Sequence, residues 1–371
     1  MMRSMVAAAC MSALAAVGLA QTPARAVNRV VYKEPGRFGG WPANHGIWSW
    51  GNEILVGFEI GYHRNNPTGH LIDYDRPAEH VLARSLDGGE TWRIEKPEGL
   101  RPPPNTKVAG VPTGPEGKEP VDCPGGVDFS NPNFIFTARM TSIHVGPSRF
   151  YYSTDRGKTW QGPFRLPDFG QKGIAARTDY LINGKHDMFV FLTAAKSNGR
   201  EGRVLVARTQ DGAKSWKFVT FIGPEPPEDD FAIMPASVRL SPKSILTAIR
   251  HRRYIELWRS DDNANTWTKL GVPAPDIGGN PPSMIRLRDG RLLLTYGYRV
   301  KPFGIRARLS ADEGRTWSGE LILRDDGGSG DLGYPRSVQR PDGKIVSVYY
   351  FNEGAQSERY IAATIWDPGK R

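Results

Sequence analysis

Five stretches of the chain share one spelling: SLDGGETW (Ser85 to Trp92), STDRGKTW (Ser153 to Trp160), TQDGAKSW (Thr209 to Trp216), SDDNANTW (Ser260 to Trp267) and SADEGRTW (Ser310 to Trp317). The common pattern is Ser/Thr-x-Asp-x-Gly/Ala-x-Ser/Thr-Trp, and successive copies start 68, 56, 51 and 50 residues apart. Self-similarity at such a period marks a repeat architecture. Each copy has the chemistry of a tight hairpin turn. The Asp accepts from backbone donors ahead of it, the Gly or Ala tolerates a crowded backbone, and the Trp covers the fold. Five of the ten tryptophans are used in this way.

Strand-like runs flank every copy, such as HVLARS before and WRIE after the first. A period near fifty residues fits four short strands, which is one propeller blade. Five copies give five blades, and YPRSVQRPDGKIVSVYY with RYIAATIW supplies a sixth without a copy of its own. Its missing outer strand is expected from Asn28 to Glu34, which would close the ring. The expected fold is all-β, a six-bladed β-propeller.

The motif is the Asp-box, or bacterial neuraminidase repeat, and the chain resembles the sialidase superfamily over essentially its whole length after the leader. The box aspartates Asp87, Asp155, Asp211, Asp262 and Asp312 recur once per blade at an outer hairpin, so their role is structural. A propeller gathers the starts of its inner strands around a central pit. Those starts read WPANHGIW, NPNFIFTAR, ARTDYLI, MPASVRL, PPSMIRL and YPRSVQR. They point Asn44, His45, Asn131, Arg177, Asp179, Asn280, Tyr334 and Arg336 toward the pit.

The resemblance implies a Tyr nucleophile activated by a Glu, three Arg on a substrate carboxylate, and an Asp as acid/base. Tyr334 opens the inner strand where the family's nucleophile lies, and Glu353 falls where a family Glu orients an arginine. Arg250 resembles the second arginine, with Arg299 or Arg306 as the third. Asp73 or Asp75 lies in the loop that carries the acid/base. Two positions depart from the pattern. Gly40-Trp41-Pro42 stands where the first arginine is expected, leaving Arg37 as its substitute. Met234-Pro235 stands where the activating Glu is expected, leaving Glu228, Asp229 or Asp230 on the preceding loop. Arg177 and Arg336 are further candidates for binding an acidic sugar.

Histidines suggest a second chemistry. Of seven, His45, His63, His70 and His80 fall in blade one. A histidine such as His45 can act as base and then acid in a glycosidase or lyase on uronate or rhamnose glycans. A non-catalytic glycan-binding propeller is the third reading, since the fold hosts binding as readily as catalysis.

The chain of 371 residues is 24% charged, 39% hydrophobic and 10% aromatic, which excludes a disordered chain. Met1 to Ala26 reads as a secretory signal ending in Ala24-Arg25-Ala26, so 27–371 is expected to be one domain and the product secreted or periplasmic. Cys10 leaves with the leader, and Cys123 alone cannot form an internal disulfide. The leader carries Arg3 and Arg25 and no acid, so its removal takes the net charge from +10 to +8. The basic residues are scattered, which argues against nucleic acid, and no later apolar run is long enough to span a membrane. A monomer acting on a glycan is expected. No cofactor is expected, apart from calcium that the acidic loops around Asp229, Asp230, Asp325, Asp326 and Asp331 could hold. Residues 99–126 are too rich in Pro and Gly for a strand and suggest a lid over the active face.

Overall fold

A computed structural model describes Pro23, residues 26–66 and residues 69–369; the leader expected at 1–26 lies almost entirely outside them. Six antiparallel sheets follow one another around a ring. Blade one holds Arg37–Gly40 and Ile47–Trp50, both paired to Glu53–Tyr62, then Glu79–Ser85 and Arg93–Glu95. Blade three holds Ile174–Ala175 and Tyr180–Gly184, both paired to Asp187–Ala195, then Glu201–Thr209 and Lys217–Phe221. Blade four runs Ile233–Arg239, Ile245–Arg250, Ile255–Ser260 and Thr268–Ala274, and blade five Ser283–Arg286, Leu292–Tyr298, Gly304–Ser310 and Leu321–Arg324. Blade six consists of Gly333–Gln339, Ile345–Phe351 and Tyr360–Trp366, with Val27–Tyr32 as its outer strand. The N-terminal strand pairs Val27 with Ile365, so the ring closes as the sequence suggests. Among the described residues no helix is long and apolar enough to cross a membrane.

Each box is the turn between the last two strands of its blade. Two successive residues take positive φ in every copy, from Gly88-Gly89 to Glu313-Gly314, as a type I′ turn requires. In the first copy the Asp87 carboxylate accepts from Thr91 N at 2.9 Å, from Thr91 Oγ1 at 2.5 Å and from Ser85 Oγ at 2.8 Å. The other four aspartates accept from their own Ser/Thr pair in the same way. The box Trp then reaches the preceding blade. Trp216 lies edge-on to Phe150 of blade two, Trp267 lies edge-on to Phe191 of blade three, and Trp160 packs with Leu55 and Leu82 of blade one. One apolar cluster fills each junction between neighbouring blades.

Blade two departs from the expected pattern. It has three strands, Ile135–Met140, Ser148–Ser153 and Gln161–Leu166, and the box falls between the last two. NPNFIFTAR therefore opens the second strand, and among the described residues no strand pairs with its inner edge. Asn131 sits in an outer turn, where its side chain donates to Thr154 O. The expected lid, 99–126, is packed on the body: Leu100 is buried against Trp160, and Val121 bridges to Phe164. A small hairpin pairs Lys107–Val108 with Val111–Pro112.

Burial opposes ionisation of Asp87, but the Thr91 and Ser85 hydrogen bonds outweigh it and hold the carboxyl down to about 2. A depressed carboxylate contributes stability above its unfolded pKa of about 3.9 and loses it as pH falls through the folded value. Asp87 is exposed and water screens its charge, so Asp87→Asn is expected to destabilise the protein by about 0.5–1 kcal/mol at neutral pH. Urea unfolding across pH should show the difference closing between roughly pH 4 and 2.

Candidate functional site

The first strand of blade one breaks at Trp41-Pro42 into a single helical turn, Pro42–His45. This turn plugs the centre of the ring, held by other blades through its carbonyls and side chains. Thr137 of blade two donates to His45 O at 2.9 Å, Arg177 Nε of blade three to Asn44 Oδ1 at 3.1 Å, and Arg336 of blade six to Ala43 O at 2.6 Å. The turn fits over the Glu53–Tyr62 strand because residue 57 is glycine; a Cβ there would stand 2.7 Å from His45 Cβ. Arg336 also donates to Thr178 O, so its task is to hold the plug.

Above the plug, three inner strands bend in the same strained way. Trp41, Met234 and Tyr334 each precede a proline and have φ of 60°, 52° and 51°. Non-glycine residues rarely take this conformation, and such strain persists only where the surroundings fix it. Strand register breaks at Met234 and Tyr334. At Tyr334 the bulge is fixed by buried Asn280, whose Oδ1 accepts from Tyr334 N at 2.9 Å while its Nδ2 donates to Leu332 O at 2.9 Å. Gly333 makes room for it, since a Cβ there would lie 2.5 Å from the Asn280 amide.

The Tyr334 hydroxyl accepts from Arg250 Nη1 at 2.9 Å. The Arg299 guanidinium lies 5.5 Å from the Tyr334 ring centre and donates to the Tyr350 hydroxyl at 2.9 Å. Arg177 is ion-paired to Glu201 at 2.5 Å. Burial raises the cost of ionising Tyr334, yet the charges of Arg250, Arg299 and Arg177 outweigh it and leave the phenol below its ordinary 10. Among the described residues neither Arg250 nor Arg299 is ion-paired to a carboxylate.

Behind Arg299 a second row continues. Tyr350 donates to Asp331 Oδ1 at 2.8 Å, Arg359 Nε to Asp331 Oδ2 at 2.9 Å, and His70 Nδ1 lies 2.7 Å from Asp331 Oδ1. Burial works against the Asp331 charge, but His70, Arg359 and Arg299 hold the carboxyl far below its usual range. An ionised Asp331 can only accept, so the Nδ1–H of His70 donates to it and Nε2 is the ring nitrogen turned away from that bond. The His70 ring stands edge-on to Trp41, 5.0 Å between centres, and is about one-third exposed.

Thus Tyr334, Arg250, Arg299 and Arg177 come together as the sequence suggests. Other expected residues lie elsewhere. Glu353 faces outward, 60% exposed and bound to Lys33 at 2.9 Å. Asp73 is paired with Arg64 at 3.1 Å and caps Asp75 N. Arg37 stacks on Tyr62, 4.1 Å from the ring centre, and turns toward Glu79. Arg306 is buried and donates to the backbone of Pro302. His45 points between blades one and two, its ring edge-on to that of His80. Of the loop acids, Asp230 is engaged by His251 and by Arg252 N. Glu201 and Tyr350 went unnoticed in the sequence. The visible signal for Tyr350 was its place at the end of the VYYF strand, the position in blade six that Arg250 holds in blade four.

A family model described as a BNR repeat-like domain matches residues 129–347. A solved structure of a protein of unknown function from Dyadobacter fermentans is 23% identical with a TM-score of 0.69, and the match covers 92% of this chain and 97% of that one. A mutant Trypanosoma rangeli sialidase displaying trans-sialidase activity is 12% identical with a TM-score of 0.61, covering 94% of this chain and 60% of that one. The α-L-arabinofuranosidase of Fusarium graminearum is 11% identical with a TM-score of 0.56, covering 95% and 97%. At these identities the likeness is one of fold, the sialidase-type propeller. No curated protein matches the sequence significantly.

The arginine field on Tyr334 has a spectroscopic consequence. In a near-ultraviolet pH titration one tyrosinate is expected to form below the range of the others, to vanish in Tyr334→Phe, and to move upward in Arg250→Gln. Loss of one such charge contact should raise the transition by about one pH unit, or about 1.4 kcal/mol.

Proposed function

The chain belongs to the BNR repeat-like domain family, and from that footing we propose that it is a glycoside hydrolase that takes an acidic terminal sugar into the central pit. The observation that carries this reading is the pair Arg250 and Arg299, two half-buried guanidinium groups beside one tyrosine, neither of them ion-paired to a carboxylate among the described residues. Two like charges held side by side and partly withdrawn from water repel each other, so such a pair suits an anionic ligand. Guanidinium forks suit a carboxylate. The sialidase and arabinofuranosidase likenesses both accord with a glycosidase, and the unpaired arginines favour an acidic sugar over a neutral pentose.

In the proposed reaction the Tyr334 oxygen attacks the anomeric carbon while the bond to the leaving oxygen breaks, and that oxygen takes a proton from a general acid. Water then attacks the glycosyl-tyrosine, gives its proton to the same group, and releases Tyr334. The missing Glu at Met234 is compensated by the positive field of Arg250, Arg299 and Arg177, which favours the phenolate directly. Glu201 acts as a positioning residue through Arg177. For the proton, the expected Asp73 is tied to Arg64, whereas His70 on the same loop has Asp331 behind its Nδ1, a carboxylate that supports the imidazolium whose Nε2–H is given to the leaving oxygen in the first step and regained from water in the second. His70 is therefore the proposed acid/base. His45, buried and turned away, is not used.

The test is turnover of fluorogenic sialosides and of uronate-capped oligosaccharides by the full chain freed of its leader. Expected is release of an acidic monosaccharide, with Tyr334→Phe lowering kcat by at least about a hundredfold and His70→Ala by about 10²–10⁴-fold. Arg250→Gln should act chiefly by raising KM. An unsaturated uronate product that survives Tyr334→Phe would overturn the hydrolase reading in favour of a lyase, and saturable binding with no product would leave a glycan-binding propeller.

A further inference from the structure

Between blades one and two, away from Tyr334, three side chains with metal-ligating atoms meet in the dark of the fold. His45 comes from the helical plug, and Glu59 and His80 are cross-strand partners in blade one. One ligand atom of each lies within 4.8 Å of the others. All three are at least nine-tenths buried: His45 and Glu59 are 2% exposed, and the His80 side chain is 4% exposed. Each also keeps a buried polar atom without a hydrogen-bond partner, namely His45 Nδ1, Glu59 Oε1 and His80 Nδ1.

Three orphaned polar atoms in one buried cluster are rare, because each costs about 1–3 kcal/mol when left unsatisfied. A small cavity of about 20 Å³ adjoins them, lined also by Val108 of the insertion hairpin and by Met140. It has room for about one water. Two imidazoles, one carboxylate and one open position toward a water make the donor set of a three-ligand zinc site. We propose that His45, Glu59 and His80 bind a single zinc-class divalent cation.

The protonation states agree with the geometry. Burial pushes both imidazoles well below their ordinary range, so both lone pairs are free at neutral pH. Burial pushes the Glu59 carboxyl up to about 8, against the pull of Arg139. Binding therefore displaces one proton, that of Glu59. The Arg139 guanidinium also lines the cavity, held by Thr137 Oγ1 and Ala138 O. Its charge favours the ionised carboxylate and opposes the dication, which limits the affinity without removing a ligand. Val108 brings the insertion to the edge of this site, and metal uptake would fasten the plug to blade one.

The test uses the full chain freed of its leader, stripped with a chelator and titrated with cobalt and then zinc. One equivalent of cobalt is expected to give the visible spectrum of a tetrahedral nitrogen and oxygen site, zinc to displace it, and the thermal midpoint to rise. Glu59→Gln keeps the shape and the neutral charge of the protonated acid, so it should fold, yet it is expected to weaken binding by more than about tenfold, as is His80→Asn. His144→Ala, on the surface, should leave binding unchanged. No stoichiometric uptake by the wild-type chain would overturn the site, and so would uptake that a folded Glu59→Gln or His80→Asn protein retains in full. If both variants fail to fold, the wild-type stoichiometry and cobalt spectrum decide.

Discussion

A ring of sheets is stable only when every blade has a neighbour on both sides, and here that condition rests on a contact between the two ends of the chain. Val27–Tyr32 lies against Tyr360–Trp366. Without that pairing blade six would keep three strands and an open edge, and the apolar faces of blades one and six would lose their shared cluster around Val31, Phe38, Val346 and Val348. The boxes work toward the same end. Each fixes a turn with one carboxylate and places a tryptophan on the blade before it, so the order of blades along the chain becomes the order around the ring. The junction between blades five and six lacks a box tryptophan and is filled by Trp366, whose indole donates to Ser347.

Closure leaves the middle of the ring to be filled, and this chain fills it with its own backbone. The Pro42–His45 turn occupies space that blade two, lacking an inner strand, does not claim. Its upper side is bounded by Tyr334 and Met234, its edge by Arg177, and its other flank by His45 facing Glu59 and His80. One four-residue turn therefore separates the arginine-lined pit from the buried histidine cluster.

The parts of the fold that repeat were legible, because five copies of a turn reinforce one another and identify blades without any knowledge of their contents. Tyr334, Arg250 and Arg299 were legible for a related reason, lying at equivalent points of blades that could be aligned. Misreadings came where one blade differs from its siblings. NPNFIFTAR carries a proline like the true inner strands, yet its Asn131-Pro132 belongs to an outer turn. Glu353 stands two residues beyond the Tyr349–Phe351 run, but the strand has ended and its side chain turns to Lys33. Glu201 could not be found by pattern, since it opens a strand and meets Arg177 only across the irregular inner edge of blade three, and the sequence offers Asp331 only as an acidic-loop residue, because its partners His70, Tyr350 and Arg359 come from blades one and six.

The seam of the ring also sets an order in time. The strand that pairs at the seam is made before blades one to five and its partner after them, with Val27 meeting Ile365 across all five. Contacts so distant in sequence form slowly, because a long loop must close before they stabilise anything. Blades two to five can assemble on local pairings as they emerge, while the N-terminal strand waits, unpaired, until Tyr360–Trp366 has been synthesised. The pit with Tyr334 and Arg250 is bounded by blades on both sides of that wait, so a chain truncated before its last strand would hold most of its sheets and no finished site.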